Sequence, residues 1–158
     1  MNNEYPVFEY LRKYVENKLD ENDSSLMLYP TAISQTLKME IENIALGEAI
    51  VKIDANVKLH GNQQGTIHGG LLCELSDAAI GTAHSTFMKQ NESFTSVDLK
   101  INFYRPTWKS ILKAHAKPIQ RGKTLTHYEC IIYNEENKKV AYITSTVMTL
   151  KDDKAKGR

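Results

Sequence analysis

N-Q-Q-G-T-I-H-G-G-L-L-C-E-L-S-D, residues 62–77, is the stretch on which the fold and the chemistry of this chain turn. It runs a glycine-rich turn into a helix and sets Asn62, His68 and Asp77 around that helix. A Gly69–Gly70 pair at a helix start leaves backbone N–H groups bare of side chains. Such groups, at the positive end of a helix dipole, suit an anion or a developing oxyanion. An Asp on the same helix has the chemistry of a general base or a nucleophile. The combination points to a reaction at a carbonyl.

Spacing limits how these groups can meet. Eight residues of helix, from Gly69 to Asp77, are a rise of roughly 12 Å and a rotation of about 80°. One small reacting group cannot touch both the Gly69 N–H and the Asp77 carboxylate of a single helix. Either Asp77 is structural, or the site joins Asp77 of one subunit to the turn of another. The helix favours the second. From His68 to about Met88, Leu71, Leu72, Leu75, Ala79, Thr82 and Ala83 share one face at helical spacing. The opposite face carries Cys73, Asp77, Ile80, Gly81, His84 and Met88 where a surface helix would carry Lys and Glu. A helix so poor in charge on both faces is expected to be covered on both: by a sheet on one side, by a partner subunit on the side of Asp77.

Around this helix the sequence reads as strands. Leu37, Met39 and Ile41 alternate with Lys38, Glu40 and Glu42; Ala49, Val51, Ile53, Ala55 and Val57 alternate with Ile50, Lys52, Asp54 and Asn56. After the helix, Val97, Leu99, Ile101 and Phe103 alternate with Ser96, Asp98, Lys100 and Asn102. Residues 110–119, 124–133 and 139–150 supply three more strands joined by short turns. Short turns mean an antiparallel sheet, and one long helix between the second and third strands means an α+β fold. The simplest packing is a curved sheet of five to six strands wrapped around one central helix. Residues 5–20 read as a further, amphipathic helix with Pro6 in its first turn and Val7, Phe8, Leu11, Tyr14, Val15 and Leu19 as its apolar stripe. The expected organisation is an N-terminal helix and linker over 1–30, a principal domain over 31–150, and a disordered tail over 151–158.

Composition narrows the function. The 158 residues suffice for one domain with a sizeable core. Hydrophobic residues make up 41% and charged residues 25%, and the net charge of +1 carries no nucleic-acid footprint. There is no apolar run of transmembrane length and no secretory signal pattern, so a cytoplasmic protein is the expectation. Cys73 and Cys130 lack CxxC or metal spacing and read as buried free thiols. The five histidines form no metal-type motif, so no metal is expected. Ser76 and Ser96 lie outside any G-x-S-x-G elbow.

These residues resemble a known family. The order of a helix, two strands, a G-x-x-H-G-G helix and four strands resembles the hotdog fold. Residues 62–83 are similar to acyl-CoA thioesterases of the phenylacetate and thioesterase superfamily member 2 type, and T-S-V-D-L-K-I-N-F-Y-R-P at 95–106 and Q-R-G-K-T-L at 120–125 fit the same pattern. The resemblance covers roughly residues 33–150 and leaves the N-terminal helix outside. It implies a homodimer with shared active sites, often paired into a homotetramer, and hydrolysis of acyl-CoA to free acid and CoA. No cofactor is implied, since coenzyme A is part of the substrate. The carbonyl oxygen would sit on the Gly69 N–H, assisted by Asn62. Asp77 of the other subunit would activate water or attack directly. His68 would orient the site and Ser96 would support the water. Gly70, Ile80, Gly81 and His84 would border the substrate, and Arg105, Arg121 and Lys123 would hold the CoA phosphates.

Each of these residues also has a plainer reading. The glycines allow close packing, and Asn62 suits a turn. His68 suits a cap, and His84 suits core packing. Asp77 could pair with Lys100 or Arg105 across a dimer, although a carboxylate on a charge-poor face is costly to bury unless it is paired. Two other functions share the fold. A hydroxyacyl-thioester dehydratase is disfavoured by H-G-G with a downstream Asp. A non-catalytic acyl-CoA-binding protein would follow if Asp77 were sequestered. No membrane or nucleic-acid partner is expected.

Overall fold

The structure, a computed structural model, describes residues 3–156. In chain order the elements are β1 (Asn3–Tyr5), α1 (Val7–Val15), β2 (Asp23–Ser25), α2 (Ala32–Leu37), β3 (Glu40–Ala45), β4 (Glu48–Asn56), α3 (Val57–His60), α4 (Gly69–Ser85), β5 (Glu92–Phe103), β6 (Lys109–Arg121), β7 (Leu125–Tyr133) and β8 (Lys139–Lys151), with a 3-10 turn at Asp152–Ala155. Six strands form one antiparallel sheet in the order β3-β4-β6-β7-β8-β5. It curves around α4.

The core is the inner face of this sheet against α4. Period-two alternation turns Val51, Ile53 and Ala55 of β4, Leu112, Ala114 and Ala116 of β6, Tyr128, Cys130 and Ile132 of β7, and Ile143 and Val147 of β8 inward, each at most 2% exposed. Leu75, Ala79, Ile80 and Ala83 of α4 meet them and are fully buried. Each such Leu or Ile contributes about 1.5–3 kcal/mol relative to leaving it in water.

Several local readings change. The alternation through Leu37 suggests a strand, but Ala32–Leu37 is a helix. Thr31 caps it by accepting a hydrogen bond from the Ser34 N–H, and Lys38 ends it in the left-handed region at φ 57°. The strand therefore starts only at Glu40. The N-terminal helix is shorter than 5–20, stopping at Val15 before Asn17 turns to φ 54°. Within the segment read as a linker, β2 pairs in parallel with β1, and Asp23 holds Lys13 at 2.7 Å. Where a loose tail was expected, the Asp152 N–H donates to the Asn91 carbonyl and the 3-10 turn follows; residues 157–158 lie outside the described residues. Val97 was expected to face inward. A bulge between Ser96 and Asp98 leaves it 54% exposed on the free edge formed by β5. Of the two cysteines, Cys130 is buried but Cys73 is only half-buried.

The second cover on α4 is partly the chain itself. His84, Ser85 and Met88, on the same helical face as Asp77, are buried within the protomer. Tyr128 and Thr149 enclose His84, and the Tyr29 hydroxyl donates to Ser85 Oγ at 2.8 Å. Only the first part of that face, with Cys73, Glu74, Asp77, Ala78 and Gly81, stays partly open. Among the described residues, no helix is long and apolar enough to cross a membrane.

Candidate active site

The turn before α4 is built by Asn62. Its Oδ1 accepts from the Gln64 and Thr66 N–H groups, and its Nδ2 donates to Thr66 Oγ1 at 2.9 Å. Gly65 at φ 79° closes the turn. The Ile67 N–H donates to Thr107 O and the His68 N–H to His60 O, which ties the turn to the loop after β5 and to α3. Asn62 is thus the turn former of its plainer reading, yet one amide N–H is left over. It lines a cavity of about 390 Å³ together with Gln64, Thr66, Gly69, Leu72, Phe103 and Arg105.

His68 is the N-cap of α4. Its Nδ1 accepts from the Gly70 N–H at 2.8 Å. A neutral ring in this pose carries its proton on Nε2. One consequence narrows the expected anion site. The Gly70 N–H is taken by the cap, so Gly69 alone offers a free amide there, with no acceptor among the described residues. Gly70 has a structural reason of its own: a Cβ would lie 2.9 Å from His68 Nδ1. At Gly69 a Cβ would lie 3.0 Å from the tip of the Phe103 ring. Phe103 and Tyr104, both more than half exposed, flank the cavity mouth. The sequence reading took Phe103 for a core residue. The signal it missed is the aromatic pair at the very end of an alternating strand, next to Arg105–Pro106, where the sheet no longer covers the inner face.

The second cluster lies two turns further along α4. Ser96 Oγ donates to Asp77 Oδ1 at 2.9 Å. The bulge in β5 beside Ser96 aims this hydroxyl at the helix. The other carboxylate oxygen has no partner among the described residues, and no Lys or Arg pairs with Asp77. Glu74, one turn earlier, is held above the usual carboxylate range by burial and then by the charge of Asp77.

The remaining expected residues divide. Gly81 is half-buried, with the Phe94 ring 3.7 Å from where its Cβ would be. Ile80 and His84 do not border an open pocket: they are 0% and 1% exposed. Helical rotation turns Ile80 into the sheet. His84 is held between Tyr128 Oη at 3.2 Å and Thr149 Oγ1 at 3.0 Å. Burial, then the nearby Arg121 charge, lower its pKa to about 4. The three cations are not gathered in one protomer. Arg105 lines the Gly69 cavity and donates to Lys139 O. Arg121 and Lys123 lie beyond the other end of α4, in a cavity of about 500 Å³ shared with Lys89, Glu92 and Lys151. The Arg121 guanidinium sits 3.8 Å over the Phe87 ring. No group of three or more His, Cys, Asp or Glu is gathered among the described residues.

A curved antiparallel sheet wrapped around one long helix, with a free amide at the helix start, defines a hotdog-fold protein of the thioesterase kind. Residues 64–141 match the thioesterase superfamily. The structure of the E. coli PaaI protein from the phenylacetic acid degradation operon superposes with a TM-score of 0.71 at 25% identity, covering 78% of this chain and 87% of that one. A putative esterase of Haemophilus influenzae is 29% identical over 70% of this chain and 82% of its own length. A 1,4-dihydroxy-2-naphthoyl-CoA hydrolase of Listeria monocytogenes is 26% identical over 77% of this chain and 98% of its own. The fold is the hotdog fold of PaaI-type thioesterases, and residues 64–141 carry the match to the thioesterase superfamily.

Proposed function

We propose that this protein is a thioester hydrolase acting on acyl-CoA, with each active site shared by two copies of the chain. The observation that carries this reading is the split site. The free Gly69 N–H and the Asp77–Ser96 pair stand on one helix, two turns apart. A thioester carbon can engage both only when a second copy brings its Asp77 to the first copy's cavity. The free β5 edge, with Val97 and Phe103 more than half exposed, offers the surface on which two sheets would join into a dimer. Joined antiparallel, the two α4 helices run in opposite directions, which brings Asp77 of each toward the helix start of the other. The same arrangement carries Arg121 and Lys123 from the far end of one helix toward the partner's Gly69 cavity, where they and Arg105 suit the phosphates of CoA.

In this site the carbonyl oxygen lies on the Gly69 N–H, with the spare Asn62 amide N–H as second donor. Ser96 holds one oxygen of Asp77 and leaves the other for a water. Asp77 takes a proton from that water as its oxygen bonds to the carbonyl carbon. The negative charge that develops on the carbonyl oxygen is stabilised by the two N–H groups and the α4 dipole. The intermediate collapses, the C–S bond breaks, and the CoA sulfur takes the proton from Asp77. The products are a carboxylic acid and CoA. The His68 cap fixes the turn and presents Nε2–H outward, toward the thioester.

The test is release of free thiol from acyl-CoAs by wild type and Asp77→Asn, with size-exclusion chromatography on both. Asp77 is half-buried and its partner is a neutral hydroxyl, so the substitution leaves fold and assembly in place. The reading expects kcat to fall about 10²–10⁴-fold, as for loss of a positioned base. Full activity in a folded Asp77→Asn protein would remove the carboxylate from the mechanism.

A further inference from the structure

A cavity of about 390 Å³ opens beside the loop that leaves α4, lined by Met88 and Lys89 of that loop and by Tyr5, Pro6 and Leu26 of the N-terminal segment. Those N-terminal residues fall outside residues 64–141, so the groove lies beyond the region that matches the thioesterase superfamily. The segment holds its wall in place. β1 pairs with β2 so that Tyr5 lies beside Ser25, and Leu26 follows directly. Lys13 Nζ donates to Tyr5 Oη at 2.9 Å and to Asp23 Oδ2 at 2.7 Å, and it lies 4.1 Å from the centre of the Tyr5 ring. Lys13 thus takes the hydroxyl and one face of the ring, and the surface left to line the groove is bare ring. Leu26, 49% exposed, leaves an apolar side chain in water beside it.

The groove adjoins the cationic cavity described above. Met88 and Lys89 line both, and the second holds Arg121, Lys123 and Lys151. Lys151 is occupied by Glu92 at 3.1 Å. Lys89, Arg121 and Lys123 have no carboxylate partner among the described residues. An apolar groove next to unpaired cations fits a ligand with a flat ring beside several phosphates. We infer that the groove is a purine subsite, in which the N-terminal segment takes the adenine of CoA while Lys89, Arg121 and Lys123 take its phosphates. The inference rests on the acyl-CoA reading above, in which the thioester carbon sits at Asp77. Distance agrees with it. Met88 is eleven residues beyond Asp77, a rise of roughly 16 Å along α4 and the turn that ends it. The pantetheine arm of CoA, from sulfur to the first phosphorus, is about thirteen bonds, and at the reach of an extended peptide chain it also spans roughly 16 Å. Gln90 and Glu4 supply polar groups at the groove, an amide and a carboxylate of the kind that pair with the N6 amino group and ring nitrogens of adenine.

The experiment is isothermal titration of CoA, and of phosphopantetheine, which keeps the arm and one phosphate but lacks the adenosine. The proteins are wild type, Tyr5→Ala, Leu26→Ala and Lys123→Ala, each shown to be folded by circular dichroism melts. Wild type is expected to bind CoA about tenfold or more tighter than phosphopantetheine, and Tyr5→Ala should weaken CoA by roughly five- to a hundredfold, the worth of one base–ring contact. Leu26→Ala should weaken CoA by less, and neither substitution should move phosphopantetheine. Lys123→Ala should weaken both ligands, since both carry phosphate. Folded Tyr5→Ala and Leu26→Ala proteins that bind CoA as wild type does would overturn the groove. So would an equal loss for both ligands in Tyr5→Ala, the mark of a structural role, or a wild type that does not distinguish them. Thiol release from acyl-CoA separates this from the reading beneath it. The expected binding pattern in a protein that hydrolyses no acyl-CoA keeps the groove and removes the hydrolase; hydrolysis without any preference for the adenosine removes the groove alone.

Discussion

Replacing Gly69 with proline isolates a single donor. Gly69 is the first residue of α4, the position where a missing N–H breaks no helical hydrogen bond and where proline is favoured. The residue before a proline must be extended, and His68 already is, at φ −64° and ψ 134°. The His68 cap uses the Gly70 N–H and is untouched. The one steric cost is at Cβ, which would meet the Phe103 ring at 3.0 Å. That ring is 55% exposed and free to swing outward. Gly69→Ala carries the same Cβ but keeps the N–H, so it serves as the steric control. Both variants are expected to melt close to wild type. Loss of one oxyanion donor costs about 10²–10³ in kcat, so Gly69→Pro should fall that far below Gly69→Ala in thiol release from a good acyl-CoA. The shared site adds a second arm. Neither Gly69→Pro nor Asp77→Asn alone retains a complete site. When the two are unfolded together and refolded as mixed dimers, half the dimers are hybrids and each hybrid has one intact site. Activity should return to about a quarter of wild type. A Gly69→Pro protein within threefold of Gly69→Ala would refute the amide as oxyanion donor. Mixing without recovery would refute a site built from two chains.

Two further outcomes follow from the same geometry. Ser96→Ala removes a hydrogen bond of 2.9 Å to the Asp77 carboxylate. A hydrogen bond to a charged group is worth about 1.5–3 kcal/mol, so kcat should drop roughly ten- to a hundredfold with little change in KM, measured by steady-state thiol release. His84 tests the core. Burial, then the Arg121 charge, lower its folded pKa to about 4, below the ordinary 6.5. The unfolded chain therefore binds the proton more readily between those values. The stability that His84 contributes as a neutral ring is present above pH 6.5 and is lost as pH falls toward 4. Thermal melts across that window should show a falling Tm, and His84→Gln should flatten part of the slope.

The N-terminal segment shows where reading a sequence stops. Val7 and Leu11 announce an amphipathic helix and are buried as that pattern requires. Nothing in the residues 5–30, however, says which surface the stripe seeks. The capping pair Thr31 and Ser34 hides inside an alternating pattern, and the αL turn at Lys38 has no signature in a lysine. His84 and Met88 share a helical face with Asp77, so helical spacing alone assigns them all to one neighbour. The structure gives them different ones, because Tyr128, Thr149 and the N-terminal segment close over one half of the helix and leave the other half open.

What the chain's sequence determined by itself is local and periodic. The alternation of β4 and β6–β8, the long apolar helix, and the order of these elements along the chain all follow from side-chain period and turn chemistry, which neighbours in sequence decide. The separation of Gly69 from Asp77 belongs to the same class, because a helix is a ruler. What only the tertiary structure decided depends on residues distant in sequence. The His68 cap took one of the two expected amides, and a bulge in β5 brought the Ser96 hydroxyl to Asp77, nineteen residues away. Arg105 and Arg121 fell at opposite ends of α4. These outcomes were set by competition among packing, capping and hydrogen bonds in three dimensions, and a one-dimensional pattern has no term for that competition.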